Sequence, residues 1–286
     1  MAQASASETG ASRPRHMLAD ILDKPFVIMG IVNVTPDSFF DGGKYFPVSQ
    51  AVDRACRLAD HGADIIDIGG QSTRPGALLI DAHEECRRIV PVIDAVAKKV
   101  AAPISVDTVS AKTASSAFDA GASIVNDISA GRLDDAMPQF AAEHGCPVVL
   151  MHSRETPSTM QDNPMYDDVV AEVKKELLHS ADRFLSAGVA HGNVIIDPGI
   201  GFAKRFEDSM TLLAHCDEFV ATGYPVCLGT SRKSFVGRLL GKGPEDRLFG
   251  SLASIVPAFR AGVKIFRVHD VEETFQFLTV LHALYG

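Results

Sequence analysis

Residues 104–127, ISVDTVSAKTASSAFDAGASIVND, contain one complete strand–helix–strand unit. Two short apolar runs, at 104–106 and 123–125, enclose a helical pattern at 111–120, and a glycine follows that pattern at position 121. Glycine is common directly after a helix because it adopts the left-handed backbone conformation at little steric cost. This stretch therefore predicts two parallel strands joined by a crossover helix.

The same alternation continues along the chain. The apolar runs lie at 26–32, 64–68, 104–106, 123–125, 147–151, 194–196, 225–228 and 264–268. Helical patterns follow them at 49–61, 84–99, 111–120, 134–144, 166–187, 207–216, 246–261 and 271–284. Runs this continuously apolar are typical of strands buried on both faces of a parallel sheet. Eight units in one chain favour an α/β fold of the (β/α)8 TIM barrel kind over an open doubly wound sheet, although an open sheet would give almost the same pattern.

The pattern predicts a single barrel domain over residues 25–286, preceded by a flexible, disordered N-terminal tail at 1–24. The first 24 residues hold no apolar segment of the kind found in signal peptides. No apolar stretch approaches the roughly 20 residues needed to span a bilayer. The five cysteines are scattered and lack the spacing of a zinc site. Together these features predict a cytoplasmic protein with reduced thiols.

The overall charge limits the class of partner. A formal net charge of −9 argues against binding to nucleic acid or to an anionic membrane surface, because the field of the protein repels phosphate groups. An anionic small substrate is still compatible with this charge, since a local cluster of Arg, Lys and His can reverse the field inside one cleft. We therefore expect small-molecule substrates.

Polar residues follow the apolar runs at their C-terminal ends, where barrel enzymes carry their catalytic groups. They are Asn33, residues 69–74, Asp107, Asn126, Asp127, His152, Asp197, residues 230–233, Arg267, His269 and Asp270. In a closed barrel the eight strand ends converge on one opening. We therefore expect these scattered positions to form one site.

Asp107, Asn126 and Asp197 are candidates for binding a flat heterocycle. A buried carboxylate is costly unless it is paired, and a ring N–H beside an exocyclic amino group can donate two parallel hydrogen bonds to it. An amide offers both a donor and an acceptor to the same ring. The alternative for each residue is a salt bridge or a helix cap.

Lys233, Arg267 and His269 would bring positive charge to the seventh and eighth strand ends. Barrels commonly bind phosphate there, and cationic donors stabilise the charge that develops on a departing pyrophosphate. The alternative is that these side chains are solvated surface charges. The segment 230–234 lacks the glycine spacing of a P-loop, which argues against a nucleoside triphosphatase.

Two loops carry Gly and Pro at short intervals, TPDSFFDGG at 35–43 and STRPGA at 72–77. Adjacent aromatics such as Phe39 and Phe40 on a mobile loop can exclude water and cover a flat substrate. Ordinary packing of the loop is the alternative.

Five segments resemble the motifs of the dihydropteroate synthase family, in the order in which that family has them. They are NVTPDSF at 33–39, STRPG at 72–76, DPGIGF at 197–202, SRKS at 231–234 and RVHD at 267–270. The resemblance extends from about residue 26 to the C-terminus. Each motif is weak alone, and their common order makes the resemblance specific.

The resemblance implies a set of site residues. A pterin would be bound by Asp107, Asn126, Asp197 and Lys233, with Ile128 and Met151 in its apolar lining. Arg267 and His269 would bind the pyrophosphate, and Asn33 would contact a Mg²⁺ ion held mainly by that pyrophosphate. Val268 is also expected among the substrate-binding residues. The second substrate, 4-aminobenzoate, would lie near Phe39, Thr73, Pro75, Phe202 and Ser231, with Thr73 and Arg74 closing over the site.

The resemblance also implies the reaction. A pterin pyrophosphate and 4-aminobenzoate would condense to dihydropteroate, with pyrophosphate leaving before the amine attacks. Lys233, Arg267, His269, Asp107 and Asn33 would be the catalytic residues, and Asp107 could stabilise the pterin methylene cation. No strong base is expected, because an aromatic amine is already neutral at pH 7. Competition by sulfonamides and a homodimeric assembly are further implications.

The chain departs from the family's usual pattern at three places. Gln71 stands where a Glu is usual, Phe40 replaces a small residue, and Ser-Arg-Glu at 153–155 differs from the usual residues after Met151. The first puts a role for a carboxylate at position 71 in doubt.

Two other functions compete with this interpretation. A pterin-binding methyltransferase would share the pterin floor but would not need Lys233 or a pyrophosphate site. A non-catalytic barrel would bind a pterin without turnover. A dehydrogenase is disfavoured because the chain has no dinucleotide-binding fingerprint.

Overall fold

In the computed structural model, described at residues 17–35, 48–72, 76–156, 158–160 and 164–286, strands and helices alternate along the chain. The strands are β1 (Val27–Asn33), β2 (Ile65–Gly69), β3 (Ile104–Asp107), β4 (Ile124–Asp127), β5 (Val148–Met151), β6 (Val194–Asp197), β7 (Cys227–Leu228) and β8 (Ile265–Val268). The helices are α1 (Met17–Leu22), α2 (Val48–Asp60), α3 (Ala82–Ala97), α4 (Ala111–Asp119), α5 (Met137–His144), α6 (Val169–Ala187), α7 (Phe206–Ala214), α8 (Cys216–Val220), α9 (Ser234–Leu240), α10 (Leu248–Ala261) and α11 (Val271–Tyr285).

The strands form one parallel sheet in the order β6-β5-β4-β3-β2-β1-β8-β7. The two edges of this sheet meet at a single bridge, where Ile196 of β6 pairs with Val226. The Ile196 N–H donates to Pro225 O at 3.0 Å across the same gap. The predicted (β/α)8 barrel is therefore confirmed, and its weakest seam lies between β6 and β7.

The observed strands extend one or two residues beyond several of the predicted runs. The ladder between β3 and β4 continues to the pair Asp107 and Asn126, and β6 continues to Asp197, which pairs with Met151 of β5. Backbone pairing does not depend on the polarity of the side chain, so it passes through these polar residues. Their side chains are consequently held by the sheet and not by a loop.

The lower part of the barrel interior is an apolar layer. The inward side chains of this layer, all of them 0% exposed, are Val27, Met29, Ile65, Ile124, Val149, Ile195, Cys227 and Ile265. Leu18 of α1 is 4% exposed and packs in the same cluster. Residues 17–22 therefore depart from the tail expected at 1–24: they form a short helix whose apolar side chain covers the bottom of the barrel.

The helices cover the outside of the sheet, and a second, larger apolar core lies between the two layers. The predicted helix at 207–216 is two helices, because His215, with φ −119° and ψ 37°, leaves the helical conformation between α7 and α8. Helix α9 follows β7 directly and was not predicted. None of the described helices is both long enough and apolar enough to cross a membrane.

Candidate active site

Side chains on a β-strand alternate between two faces, so residues two apart point the same way. Ile65, Ile124 and Ile195 of the apolar layer therefore direct Asp67, Asn126 and Asp197 to the same interior, one step closer to the C-terminal ends of the strands. We call this set the polar layer; its members are Asp67, Ser105, Asp107, Asn126, Asp197 and Arg267.

Arg267 connects the acidic residues of the polar layer. Its Nε donates to Asp67 Oδ2 at 2.7 Å, and its Nη2 donates to Asp107 Oδ2 at 2.6 Å. The Asn126 amide donates to the same Asp67 oxygen at 3.2 Å. Burial lowers the pKa of Arg267, but the two carboxylates outweigh it and raise that pKa above its usual value. Arg267 was expected to add positive charge at the strand ends. In this structure its guanidinium is instead paired with the carboxylates of Asp67 and Asp107.

Asp67 is a site residue that the sequence analysis missed. Its side chain is 0% exposed, and its second oxygen, Oδ1, has no hydrogen-bond partner among the described residues. A lone carboxylate inside the run IIDIG of β2 was the available signal, because a buried strand tolerates a charge only when that charge is paired. Asp67 holds Arg267 in place from below.

Asp107 and Asp197, the two acids predicted to bind the pterin, are both buried. Burial raises the pKa of Asp107 to about 7, although the positive charge of Arg267 opposes that rise. Burial also raises the pKa of Asp197, against a hydrogen bond that Gly199 N–H donates to Asp197 Oδ1 at 2.7 Å and against the charge of Lys233. A ligand that donates hydrogen bonds to these carboxylates would favour their charged forms.

Lys233 lies over the aromatic wall of the site. Its Nζ is 3.9 Å from the centroid of the Phe202 ring, a cation–π geometry. Burial and the nearby charge of Arg267 lower the pKa of Lys233 to about 7, while Asp197 and Asp107 oppose the shift. The cavity beside this pair is lined by Asn126, Ile128, Met151, Asp197, Gly199, Ile200, Phe202, Gly229, Lys233 and Arg267. Most of the predicted pterin residues therefore share one cavity.

Ser231 and His269 form a hydrogen-bonded pair at the ends of β7 and β8. The His269 N–H donates to Ser231 Oγ at 3.2 Å, and that hydroxyl contacts His269 Nδ1 at 3.0 Å. The Arg54 guanidinium donates to His269 O at 2.6 Å. Burial, with the charge of Arg267, lowers the pKa of His269 to about 3. His269 is therefore neutral at pH 7, and it adds no positive charge to the site.

The other predicted site residues lie at a strand end, in an apolar cluster or in the outer core. Asn33 is the half-buried last residue of β1, in register with Gly69. Ile128, Met151 and Phe202 form one apolar cluster with Met160 and Ala203. Val268 instead packs its side chain into the outer core, so only its backbone can face a ligand. Within the described ranges, no group of three His, Cys, Asp or Glu side chains could hold a metal ion.

Several predictions lie outside the described residues. They concern Phe39 and Phe40 on the first loop and Thr73, Arg74 and Pro75 on the second. Next to the second loop, the Gln71 side chain accepts a hydrogen bond from Ile80 N at 3.1 Å. The departure at position 71 thus leaves a neutral side chain that binds the backbone of its own loop.

The departure at 153–155 is also explained by contacts. Arg154 donates from Nε to Glu176 Oε1 at 3.0 Å and from Nη2 to Glu172 Oε2 at 2.6 Å, both on α6. The Ser153 hydroxyl donates to Glu155 O at 2.6 Å. The contacts of Arg154 attach the loop after β5 to α6, and none of these bonds involves a residue of the polar layer.

The sequence profile of the family described as "Pterin binding enzyme" matches residues 29–269. A dihydropteroate synthase of Bacillus subtilis is 42% identical over 284 residues, which cover 99% of this chain and 97% of that protein.

Solved structures give the same result. A dihydropteroate synthase of Xanthomonas albilineans, solved with 4-aminobenzoic acid, has a TM-score of 0.86 and 44% identity, and the match covers 92% of this chain and 94% of that one. A Yersinia pestis dihydropteroate synthase in a sulfonamide complex has a TM-score of 0.86 and 41% identity, with 92% and 95% covered. The chain therefore belongs to the pterin-binding enzyme family and, within it, to the dihydropteroate synthases.

Proposed function

We propose that this chain condenses 7,8-dihydropterin-6-ylmethyl pyrophosphate with 4-aminobenzoate, giving 7,8-dihydropteroate and pyrophosphate. The observation that carries the proposal is one cavity in which a buried acid-and-amide floor lies beside an aromatic wall and a lysine. Relatives solved with 4-aminobenzoic acid and with a sulfonamide support the choice of second substrate.

The floor has the chemistry to select a pterin. Asp107 accepts a hydrogen bond from the guanidinium of Arg267. A pterin presents a similar guanidine-like edge, with a ring N–H beside an amino group, so a buried carboxylate such as Asp107 or Asp197 suits it. Asn126 would satisfy the neighbouring donor and acceptor of the ring. A ring lacking this edge would give Asp107 and Asp197 no donors beyond those of Arg267 and Gly199, at a large cost in affinity.

The chemical step requires stabilisation of charge and little proton transfer. When the carbon–oxygen bond breaks, its electron pair leaves with the pyrophosphate, and a pterin methylene cation remains. Lys233, Arg267 and a hydrogen bond from neutral His269 would stabilise the departing anion, and Asp107 would face the cation. The neutral amine of 4-aminobenzoate then forms the carbon–nitrogen bond and afterwards loses a proton.

A Mg²⁺ ion is part of this proposal. The donor set fits an ion that is held mostly by substrate, because Asn33 offers one amide oxygen at the end of β1 and magnesium usually keeps waters and phosphate oxygens as ligands. The ion would neutralise charge on the pyrophosphate. Excess EDTA should stop turnover and added Mg²⁺ should restore it; full activity in EDTA would remove the metal from the proposal.

The 4-aminobenzoate would lie against Phe202 and Ser231, with Phe39, Thr73 and Pro75 completing its site. Lys233, whose Nζ lies 3.9 Å from the centroid of the Phe202 ring, would then bring positive charge near the carboxylate of that substrate. Sulfonamides, which have a similar shape and charge, should raise the apparent KM for 4-aminobenzoate without lowering kcat. Non-competitive inhibition would contradict this placement.

The direct test is to mix the protein with pterin pyrophosphate, 4-aminobenzoate and Mg²⁺. Pyrophosphate release and dihydropteroate should appear in equal amounts, measured by a coupled phosphate assay and by chromatography. Methyl transfer from a methylated folate to a corrinoid, without pyrophosphate release, would instead indicate the methyltransferase alternative. Pterin binding without turnover would indicate a non-catalytic barrel.

We further propose a homodimer that works in the cytoplasm. Phe249 is 82% exposed and Leu239 is 58% exposed, on α10 and α9, which makes an apolar patch that a second copy could cover. The cysteines at 56, 86, 146, 216 and 227 are all free thiols, which suits a reducing compartment. Sedimentation should give a dimer that Phe249→Asp weakens; a monomer for the natural chain would contradict the assembly.

A further inference from the structure

We propose that Lys204 is a positioning residue for the aromatic wall of the site. Its ammonium fixes the loop between β6 and α7 and thereby the ring of Phe202. This inference rests on the proposed placement of 4-aminobenzoate against Phe202. Lys204 belongs to no motif that the sequence analysis selected.

The ammonium of Lys204 is buried and fully hydrogen-bonded. The residue is 3% exposed. Its Nζ lies 3.0 Å from His152 Nδ1, 3.3 Å from His152 O and 3.0 Å from Phe202 O. An ammonium has three N–H donors and no acceptor, so these three contacts use all of its donors. Lys204 thus joins the loop after β5 to the loop after β6.

The partners of Lys204 fit a charged lysine and a neutral histidine. Because Nδ1 of His152 must accept from the ammonium, its Nε2 carries the proton and donates to Glu176 Oε2 at 3.0 Å. Burial, with the charge of Lys204, lowers the pKa of His152 to about 4, in agreement with the neutral form. Glu176 also accepts from Arg154. The network therefore anchors the Lys204 loop to α6.

The backbone of this loop needs such anchoring. Ala203 has a φ of +46°, in the left-handed region that a residue with a Cβ rarely adopts. A Cβ added at Gly199, with φ +67°, would lie 2.1 Å from His152 O, so the two loops are in direct contact there. The Tyr166 hydroxyl donates to Ala203 O at 2.8 Å. Lys204 and Tyr166 thus hold two consecutive carbonyls, those of Phe202 and Ala203.

The position of the Phe202 ring follows from this backbone. Its ring forms the wall of the cavity and faces Lys233 Nζ at 3.9 Å. A loop freed from Lys204 could relax the left-handed Ala203 and shift the ring. Lys204 itself cannot bind substrate with the same donors, because all three are already used. Its effect on the reaction is therefore transmitted through Phe202.

The test is Lys204→Met, which removes the charge and the donors and keeps a long unbranched side chain. We expect KM for 4-aminobenzoate to rise about 10- to 100-fold, since displacements on the ångström scale can cost that much. The Kd of a pterin fragment should change less than about threefold, because Asp107 and Asn126 are held by the sheet ladder. Steady-state kinetics and calorimetry measure the two quantities, and a general loss of structure would not separate them.

Tyr166→Phe provides a milder test that introduces no change in buried charge. It removes the hydrogen bond to Ala203 O and should raise KM for 4-aminobenzoate in the same direction by a smaller factor. Tyr224→Phe is the matched control, because Tyr224 is also buried and its ring stacks on His191, outside the cavity. The control should leave both substrate constants unchanged. If Lys204→Met does not fold, Tyr166→Phe decides the question.

Phe202→Ala separates this inference from the function on which it rests. If Phe202→Ala raises KM for 4-aminobenzoate and folded Lys204→Met does not, the positioning role is overturned and the substrate placement stands. If Phe202→Ala leaves that KM unchanged, the placement fails and the inference fails with it. Equal losses of pterin and aminobenzoate affinity in Lys204→Met would also overturn the positioning role.

Discussion

The lower and upper parts of the barrel interior are built on the same strands and differ completely in chemistry. Ile195 in the apolar layer is 0% exposed. Asp197, two residues later on β6, is 4% exposed, and its carboxyl group is polar whether or not it is protonated. Two residues of a strand span only about 6–7 Å. Residues that stabilise the fold and residues proposed to bind the substrate can therefore be neighbours on one strand.

The apolar layer also strengthens the electrostatic interactions within the polar layer. It removes water from beneath the acids and the arginine, so electrostatic interactions among them are strong. Burial accordingly raises the pKa of Asp107 and lowers that of Lys233, in both cases to about 7. We therefore expect substitutions in the polar layer to change activity and substitutions in the apolar layer to change the free energy of unfolding.

The largest expected effect is that of Asp197→Ala in the polar layer. Without this carboxylate the guanidine-like edge of the pterin loses its buried acceptor, so kcat/KM should fall by about 10³-fold or more. Calorimetry with a pterin fragment should show the matching loss of affinity. Thermal unfolding should change little, because removal of a buried charge offsets the loss of the hydrogen bond from Gly199. Retained pterin affinity would remove Asp197 from the floor.

The matched substitution on the same strand is Ile195→Ala in the apolar layer. Truncation of this fully buried side chain should lower the free energy of unfolding by about 2–5 kcal/mol, through lost burial and a cavity. Both KM values should stay within about twofold at temperatures where the protein is folded. Urea unfolding and kinetics on one preparation check both parts. A large rise in KM would show that the layers are not separable.

A smaller effect is expected from pH. Asp107 must be ionised to accept from the pterin, so activity should rise with pH through its pKa of about 7. Lys233 and Lys204 must be protonated, so activity should fall as pH rises through their pKa values, both about 7. The profile of kcat/KM should therefore be a narrow bell centred near pH 7.

Lys233→Arg tests the assignment of the falling limb, because arginine keeps its charge at all these pH values. The falling limb should become shallower, with Lys204 alone contributing to it, and the rising limb should stay where it is. An unchanged profile would assign the limbs to other groups.

The smallest expected effect is that of Leu18→Ala at the base of the barrel. Leu18 is buried against the apolar layer, but α1 has only six residues and its other packed side chains, Ile21 and Leu22, are only partly buried, so the loss in unfolding free energy should be about 1 kcal/mol. Kinetic constants should not change. A change in KM here would mean that the bottom of the barrel influences the site, contrary to the comparison of the two layers.

Much of this architecture was predictable from the sequence, because the features that specify it are local. The continuously apolar runs identified the eight strands, and the polar residues directly after them predicted that polar side chains gather at the C-terminal ends of the strands. Asp107, Asn126, Asp197 and Lys233 could be grouped because barrel closure brings all strand ends together.

The missed features depend on pairing that a single sequence does not display. Asp67 lies within an apolar strand run, and its sequence position does not show that it pairs with Arg267. The role of Lys204 likewise depends on its contacts with His152 and Phe202, which the sequence does not show. Helix α1 was missed because a stretch of six residues has too little periodicity to predict burial. The neutral state of His269 arises from burial, which the motif at 267–270 does not encode.

The single bridge that closes the barrel between Ile196 and Val226 divides the substrate pocket unequally. Asp107 and Asn126 stand on the unbroken ladder between β3 and β4, whereas Asp197, Phe202 and Ser231 lie beside the seam, on or after β6 and β7. Substitutions at Phe202 and Ser231, where 4-aminobenzoate is proposed to bind, should therefore leave the backbone pairing of Asp107 and Asn126 in place. Resistance to an aminobenzoate mimic and retention of the natural pterin need not be in conflict.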